Sequence, residues 1–346
     1  DITAKQGISL HATGNIQNIG DYLVTDTGDI TVQAQGHIAN IGHYTLAKDG
    51  NITVNAQGDV GNAGNYIVTN GGNISVNAGH DVGNLGSYRI GQNGNITVHA
   101  DNTVGNIGSY TVDNNGNIVV TAKNLVSNGN DDGSDGHYTI NGTGNITVAA
   151  IGVTDANGVT TGGDIMNYGN YHTNNGKVTM TSHDDVLNYG VMEAVTGDIS
   201  IISTDGVIFN ESGADLLSGN GNVTLRAEST NGYYYYFDAQ GVLHELTDAS
   251  ALKLNDYGEY VVQINDNTYY PALKNGSVFN AGDIMAMGGT ITLEAVKGNL
   301  TNYDDFNTLS TDNPNSFANT YKGKAIATGN IDFKAVNGHL YNEKDL

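Results

Sequence analysis

The sequence predicts an all-β protein whose chain winds into one parallel β-helix, a solenoid in which each coil lies on the previous one. Three observations predict this fold: a phrase that repeats every 22 residues, a two-residue alternation of apolar and polar positions within it, and glycine or asparagine between the alternating runs. Together they predict coils of about 22 residues with three short strands each.

The repeat is clearest in two consecutive segments, GNITVNAQGDVGNAGNYIVTNG (50–71) and GNISVNAGHDVGNLGSYRIGQN (72–93). A fixed period between about 20 and 50 residues is typical of stacked repeat proteins, because one unit cannot bury its apolar face alone. Strands that return in the same direction every 22 residues must pair in parallel, and such crossovers are right-handed. Isoleucine follows this period at 8, 30, 52, 74, 96 and 118, and tyrosine at 22, 44, 66, 88 and 110.

Within one coil, apolar and polar residues alternate as they do in a strand with one buried face. Ile30, Val32 and Ala34 fall on one side, and Thr31 and Gln33 fall on the other. The alternation resumes after each corner that contains glycine, so each coil is predicted to have three strands. The inward residues of successive coils then form the core of a rod.

Asparagine recurs at one inward corner position, where its side-chain amide can hydrogen-bond the amide of the next coil. The tyrosines are predicted to stack in a similar column. Coils spaced ~4.8 Å apart and numbering about twelve would form a rod about 55 Å long. The predicted ladder consists of Asn18, Asn40, Asn62, Asn84, Asn106, Asn128, Asn167, Asn188, Asn210, Asn280, Asn302 and Asn342.

Irregular steps in the ladder predict insertions in a single rod that spans 1–346. Those near 151 and 228 leave the rod at the corner after the first strand, and the other two leave at the second corner. Edge insertions are common binding sites in solenoids. The predicted insertions are a subdomain at 228–275, a loop at 304–323, and minor ones near 129–135 and 151–161.

The 228–275 insertion is rich in aromatic residues. It is predicted to form two hairpins with turns at 238–241 and 265–267, because aromatic runs there flank turn-forming residues. Alternate aromatic side chains would pack on the rod, and the remainder would form an exposed patch for protein or carbohydrate contact. Packing alone is the favoured interpretation, and the exposed patch is the alternative. The candidate contact residues are Tyr233, Tyr234, Tyr235, Tyr236, Phe237, Tyr260, Tyr269 and Tyr270.

The composition argues against several classes of partner. The chain has 13 Lys and Arg against 36 Asp and Glu, a net charge of −23. Such a surface repels phosphate, so we expect no nucleic acid and no anionic lipid among the partners. No apolar run is long enough for a membrane span. Cysteine is absent, so disulfides do not stabilise the fold.

Catalytic patterns are sparse. Asp184 and Asp185, with Asp164 and Asp205 on neighbouring coils, form the best acid group for polysaccharide cleavage, which some β-helix proteins perform. Neither of the two arginines lies beside them. We therefore predict no catalytic residue and no enzyme.

Metal-binding and modification patterns are also weak. The acidic turn NDDGSDG at 130–136 suggests calcium but lacks EF-hand spacing, so an ordinary turn is the favoured interpretation. The ten histidines lack metal-ligand spacing, and no metal or cofactor is predicted. Asn-x-Thr/Ser triplets match the glycosylation pattern, but a corner asparagine before a strand produces them automatically. They begin at 51, 73, 95, 145 and 222.

The repeat G-[ND]-I-x-[VL]-x-A-x-G-x-[IV]-x-N-x-G resembles those of filamentous haemagglutinin-like exoproteins of diderm bacteria, the large partners in two-partner secretion. GDITVQAQGHIANIG (28–42) and GTITLEAVKGNLTNY (289–303) carry this resemblance. It implies a right-handed β-helical fibre that is exported through an outer-membrane transporter and mediates adhesion. The sequence lacks the family's N-terminal secretion domain, and its period exceeds the family's usual ~19–20 residues.

We therefore expect a structural segment of a secreted, surface-exposed bacterial adhesin or fibre, whose rod is a scaffold and whose insertions make contacts. Expected partners are a host or bacterial surface protein or carbohydrate, the secretion transporter, and copies of itself, stacked head to tail or in a tandem array. Aligning Asp1 and Ile2 with Leu23 and Val24 puts residue 346 in the slot before residue 1, and uncapped strand edges favour such stacking. The alternatives are the stick of a contact-dependent inhibition or toxin-delivery exoprotein, and a polysaccharide lyase or tailspike-like hydrolase.

Overall fold

A computed structural model describes residues 1–130, 136–211, 213–229, 234–237, 243–246, 249–254, 260–265, 268–302, 325–338 and 340–342. These residues form three twelve-stranded sheets, each built from one strand per coil, and three small sheets. All pairings within the large sheets are parallel. The predicted parallel β-helix with three strands per coil is confirmed. The one helix in this part of the chain is a 3₁₀ turn at Ala249–Ala251.

The first strand of each coil belongs to sheet 1, which contains five or six residues per strand and carries the inward Ile-x-Val-x-Ala pattern. Its strands are Gly7–Ala12, Asp29–Ala34, Ile52–Ala56, Ile74–Ala78, Ile96–Ala100, Ile118–Ala122, Ile146–Ala150, Val178–Ser182, Ile199–Ser203, Val223–Ala227, Ile291–Ala295 and Ile331–Ala335.

The second strand of each coil belongs to sheet 2, which ends on the ladder asparagines. Its strands are Ile16–Asn18, Ile38–Asn40, Val60–Asn62, Val82–Asn84, Thr103–Asn106, Leu125–Asn128, Asp164–Asn167, Val186–Asn188, Ile208–Asn210, Val278–Asn280, Leu300–Asn302 and Leu340–Asn342.

The third strand belongs to sheet 3, which carries the tyrosine column. Its strands are Ile2–Ala4, Tyr22–Val24, Tyr44–Leu46, Tyr66–Val68, Ser87–Ile90, Ser109–Val112, His137–Thr143, Asn170–Asn175, Met192–Ala194, Leu216–Ser218, Ile284–Ala286 and Ala325–Ala327.

The register at the start of the chain differs from the predicted one. Ile2 pairs with Tyr22, and Ala4 pairs with Val24, so the first step is 20 residues rather than 22. The corner between this strand and sheet 1 is two residues shorter than the next such corner. The alignment of Asp1 and Ile2 with Leu23 and Val24, and the phase argument for stacking that used it, were therefore wrong.

The interior of the rod is lined by side chains from all three sheets. Ile30, Val32, Tyr44 and Leu46 are fully buried within a single coil, and the same slots are buried in most other coils. The tyrosine rings stack face to face from Tyr22 to Tyr171, with centroids 4.7–5.1 Å apart and planes within 8°. The column includes Tyr138 and Tyr171, two more rings than the five in the regular repeat.

All twelve ladder asparagines are joined to one another. Each Nδ2 donates to Oδ1 of the next asparagine at 2.7–3.0 Å, from Asn18 through to Asn342. Most of these amides also donate to the carbonyl oxygen two residues further along the chain, as Asn40 does to Gly42. The ladder continues across every insertion, so the rod is one continuous body.

A second asparagine ladder, absent from the sequence predictions, lies at the corner before sheet 1. Asn73 and Asn95 each donate Nδ2 to Oδ1 of the asparagine one coil earlier, at 2.9 and 3.1 Å. The series begins where Asn51 donates its backbone N–H to Oδ1 of Asp29. It extends to Asn145, which donates its backbone N–H to Oδ1 of Asn117. Several Asn-x-Thr/Ser amides are therefore engaged in structural hydrogen bonds.

The insertions that the structure describes leave the rod at corners. Val153–Thr154 and Thr160–Thr161 form a hairpin after sheet 1. The segment between Ala227 and Val278 forms two antiparallel three-stranded sheets. One consists of Tyr234–Phe237, Leu243–Leu246 and Leu273–Lys274, and the other of Leu252–Leu254, Tyr260–Asn265 and Thr268–Pro271. The predicted loop at 304–323, and residues 131–135 of the acidic turn, lie outside the described residues.

The outer face of sheet 2 changes character along the rod. In early coils its outward position holds exposed glycine, as at Gly61 and Gly83. In later coils it holds Leu187, Phe209 and Phe279, which are only 3–4% exposed and form a second apolar cluster. The alternation predicts strands with one buried face, but here the outer face is buried as well, because these large side chains pack on one another. None of the described helices is long and apolar enough to span a membrane.

Candidate functional site

The corner between sheets 1 and 2 carries a column of polar side chains that bind the backbone of the next coil. His37 Nδ1 accepts a hydrogen bond from the N–H of Asp59 at 2.9 Å, and Asp59 Oδ1 accepts one from the N–H of Asp81 at 3.1 Å. Asp164 and Asp185 occupy the same column further along. A side-chain acceptor here satisfies a backbone donor that the short sheet 2 strand leaves unpaired.

Two groups of potential metal ligands form along this column. We call Asp59, His80 and Asp81 the exposed acid–histidine cluster. His80 Nδ1 lies 2.9 Å from a carboxylate oxygen of Asp59 and 2.9 Å from one of Asp81. The hydrogen bond to Asp59 and the charge of Asp81 raise the pKa of His80. The histidines were predicted to bind no metal, although the 22-residue period places positions 37, 59 and 81 in one column.

Asp164, Asp184 and Asp185 form the second group, which we call the buried acid cluster. One oxygen from each carboxylate lies within 4.8 Å of the other two. Asp164 Oδ1 accepts the N–H of Asp185 at 3.0 Å, and Asp185 Oδ1 accepts the N–H of Val207 at 2.8 Å. Among the described residues, nothing donates to Oδ1 of Asp184, although that oxygen is buried.

Burial governs the protonation of this cluster. Burial, and then the charges of neighbouring carboxylates, raises the pKa of Asp184 from 3.8 to about 7. Burial also raises the pKa of Asp185 well above its ordinary value, and the charge of Asp184 raises it further. The pKa of Asp164 is raised by burial, against the opposing effects of the Asp185 N–H and of His183.

Hydrogen bonds hold the backbone of the cluster in place. The hydroxyls of Ser182 and Ser203 both donate to the carbonyl oxygen of Asp184, at 2.6 and 2.7 Å. His183, between the serine and the cluster, places Nδ1 3.1 Å from the carbonyl oxygen of Gly162 in the neighbouring insertion. The corner is therefore tied both to the adjacent coil and to the 151–161 hairpin region.

Asp205, the fourth acid of the predicted group, links the rod to the inserted subdomain. Its Oδ1 accepts a hydrogen bond from Ser229 Oγ at 3.1 Å, and its carbonyl oxygen accepts one from Asn275 Nδ2 at 2.6 Å. Ser229 and Asn275 stand at the two ends of the insertion. The charge of Glu245, on the strand Leu243–Leu246, contributes to the raised pKa of Asp184.

The aromatic contact patch is partly visible. The ring of Tyr236 stacks between Tyr270, at 5.7 Å, and His244, at 5.2 Å. Tyr269 accepts a hydrogen bond from Gln263 Nε2 at 3.2 Å. These rings and Tyr234 are half-buried, so they pack within the subdomain and also keep surface facing water. Tyr233 lies outside the described residues, as do the side chains of Tyr235, Phe237 and Tyr260.

Comparison with models of known protein families, with curated proteins and with solved structures finds no match to this chain.

Proposed function

We propose that this chain is a structural segment of a secreted, surface-exposed bacterial adhesin or fibre, in which the rod is a scaffold and the inserted subdomain makes contacts. One observation carries the proposal: three twelve-stranded sheets and the asparagine ladder continue across every insertion. The rod does not need its insertions for continuity. They are additions displayed at its corners.

The subdomain after Ala227 is the proposed contact element. Its two antiparallel sheets project from a single corner and present half-buried aromatic rings, including Tyr236 and Tyr270. Rings of this kind suit contact with a protein or with the apolar face of a sugar. The resemblance of the repeat to filamentous haemagglutinin-like exoproteins supports the same function, and adds an outer-membrane transporter and further copies of the chain as proposed partners.

Replacing the subdomain with an ordinary corner tests this proposal. A regular coil joins sheet 1 to the corner acceptor through two residues, Gln57 and Gly58. A variant in which Gln-Gly replaces 228–276 should keep the β-rich circular dichroism of the parent chain. Its binding to immobilised matrix proteins, a glycan array and bacterial cells should fall to background.

A matched variant controls for damage to the corner. Replacing 151–163 with the same Gln-Gly pair removes the smaller hairpin at the same edge of the rod, and should leave binding unchanged. Binding that survives loss of 228–276 would move the contact site elsewhere. A parent chain that binds none of these surfaces would contradict the adhesin proposal itself.

A further inference from the structure

The outer face of sheet 2 in the second to fifth coils carries two columns of uncharged residues, and we call this surface the open face. The first column consists of Ala39, Gly61, Gly83 and Gly105, which pair in register. The second column consists of Ile41, Ala63, Leu85 and Ile107, whose backbone N–H groups each donate to the previous coil. An uncharged surface of this kind is unusual on a chain whose net charge is −23, so it is a candidate for contact.

Large side chains project from the second column beside empty positions in the first. Ile41 is 56% exposed and Leu85 is 61% exposed. A Cβ at Gly61 or Gly83 would meet nothing within 4 Å. The two columns line an open groove of about 510 Å³. The open face therefore presents a row of apolar projections next to a row of holes.

The chain covers the same columns with its own side chains further along the rod. Strand pairing continues the first column from Gly105 to Leu187, Phe209 and Phe279. These side chains pack on one another and on Tyr189. Glycine and alanine cannot provide such cover for Ile41 and Leu85, but a second molecule can.

The two columns complement each other, which favours a second copy of this chain as the partner. A two-fold axis parallel to the rods would set the first column of one copy against the second column of the other, coil by coil. Leu85 of one copy would then lie over Gly83 of the other. A two-fold axis across the rods would instead set each column against itself, projection against projection. Only the parallel arrangement makes a self-complementary interface.

The charges on the two rims of the open face favour the same arrangement. Asp59 and Asp81 lie on the rim beside the first column, and Asn65 and Ser87 lie on the rim beside the second. The parallel arrangement places Asp59 opposite Asn65, and Asp81 opposite Ser87, so each carboxylate meets an uncharged polar residue. The antiparallel arrangement would bring the two acidic rims together, where like charges repel.

We propose that two copies of this chain associate side by side and in parallel through the open face. Four coils spaced ~4.8 Å apart give a contact about 19 Å long, and four outward columns make it about 20 Å wide. This is roughly 400 Å² per copy, about half of the usual ~800 Å². The association is therefore weak and reversible. It does not depend on adhesion, since it concerns the rod alone.

Sedimentation velocity of the complete chain tests the association. Over loading concentrations from about 1 μM to about 1 mM, the sedimentation coefficient should rise from the monomer value toward that of a dimer. A monomer throughout this range would overturn the proposal.

Leu85→Asp should raise the dissociation constant at least about tenfold, because it places a carboxylate in the centre of the contact. Met287→Asp is the matched control, since Met287 is 54% exposed at a corner after sheet 3 and the charge change is the same. It should keep the dissociation constant within about twofold. Both side chains are exposed, so circular dichroism should be unchanged. Unaltered association in Leu85→Asp, or an equal loss in Met287→Asp, would overturn the proposed interface.

Cross-linking tests the direction of the two rods, because the chain contains no cysteine. Gly61→Cys and Ala63→Cys put one thiol in each column of the same coil. In the parallel arrangement these two thiols face each other, so mild oxidation of an equimolar mixture should give mainly the mixed disulfide. Each variant alone should give little dimer. Mass spectrometry separates the products, and uniform disulfides in equal yield, or no mixed disulfide, would overturn the parallel arrangement.

Discussion

At the scale of single residues, one amino acid has two different roles in this rod. Asn84 is 1% exposed and joins Asn62 to Asn106 inside the coil. Asn95 joins Asn73 to Asn117 at a corner that water can reach. Both make amide–amide hydrogen bonds between coils. They differ in what replaces the bond when it is lost.

We predict that Asn84→Ala lowers the free energy of unfolding by about 2–4 kcal/mol, because it removes two ladder bonds and leaves buried amide groups unpaired. Asn95→Ala should cost less than about 1 kcal/mol, because water takes over the lost bonds. Urea unfolding of both variants measures the difference. Equal losses would show that burial does not distinguish the two ladders.

The stacked tyrosines make a second prediction at this scale. The hydroxyl of Tyr110 is buried and has no hydrogen-bond partner in the described structure. Tyr110→Phe removes a polar group that is already unsatisfied. Its melting temperature should therefore equal or exceed that of the parent chain, since burying an unpaired hydroxyl is unfavourable. A clear decrease would reveal a partner for the hydroxyl.

The 22-residue period predicted which residues line the core in the regular coils. It did not predict core residues where the spacing between coils changes. The repeat period correctly placed the ladder asparagines, from Asn18 to Asn342, at one position of the coil. This succeeded because the chain returns to the same strand register after each insertion. The same arithmetic stopped at Tyr110, because the extra residues after Asn128 shift Tyr138 by six from its regular position. The second ladder was not predicted. Its asparagines begin Asn-x-Thr/Ser triplets, and the sequence pattern was interpreted as glycosylation acceptors or as ordinary corner residues.

At the scale of elements, the corners decide which glycines are essential. Gly94 has φ +157°, and a Cβ there would lie 1.6 Å from the carbonyl oxygen of Gly72 in the previous coil. Gly83 lies in the middle of a sheet 2 strand on the outer face, and a Cβ there would meet nothing within 4 Å. The two glycines occupy neighbouring coils, and they differ in whether backbone atoms of the previous coil fill the space that a Cβ would need.

Gly94→Ala should therefore lower the free energy of unfolding by more than about 3 kcal/mol, because backbone atoms cannot yield to the added carbon. Gly83→Ala should change it by no more than about 1 kcal/mol, toward higher stability, because alanine loses less entropy on folding. Thermal melting of the pair checks the prediction. A stable Gly94→Ala variant would mean that the coils can separate at this corner.

Element boundaries were predictable where turn chemistry marks them. The strands on either side of 238–241 and of 265–267 pair antiparallel, as the turns predicted there require. The strand Leu273–Lys274 was not foreseen, because it is short and pairs with Tyr234–Phe237, which is distant in sequence. The strand Leu252–Leu254 was not foreseen either, although it pairs with the next strand of the chain, Tyr260–Asn265. Burial of Phe209 and Phe279 was also missed, since alternation assigns a side of the strand but does not reveal what covers it.

At the scale of the whole molecule, buried carboxyl groups with raised pKa values make the stability of the fold depend on pH. Burial raises the pKa of Asp164, Asp184 and Asp185, and also of Glu211 and Asp215. A carboxyl whose pKa is higher in the folded state binds its proton more tightly there. Stability gained from that proton is present at low pH and declines as pH rises through the interval between the unfolded and folded pKa values.

The chain should therefore lose stability as pH rises from about 4, the unfolded value for aspartate, to about 7, the folded value for Asp184. Asp184→Asn should flatten this profile, because it removes the carboxyl whose folded pKa is about 7. Melting temperatures across this range test the sign. A parent chain that gains stability over the same interval would contradict the assignment.

The candidate site was predictable only in part. Asp164, Asp185 and Asp205 come together because adjacent coils stack residues about 21 apart in the chain. The approach of Glu245 could not be foreseen, since no period relates an inserted hairpin to the rod beneath it. The same limit applies to the aromatic rings of the subdomain, whose packing depends on contacts within the insertion.

The ladder also sets how the molecule would respond to force. The hydrogen bonds of all three sheets run along the axis, so tension between the ends would detach coils one after another from an end. Each regular 22-residue coil would release about 75 Å of chain at ~3.4 Å per residue. The 70-residue step from Asn210 to Asn280 would release about 240 Å. A stretched rod would thus lengthen in nearly even increments interrupted by three longer ones, at the 39-, 70- and 40-residue steps that end at Asn167, Asn280 and Asn342. The order of these three steps marks the direction of unwrapping.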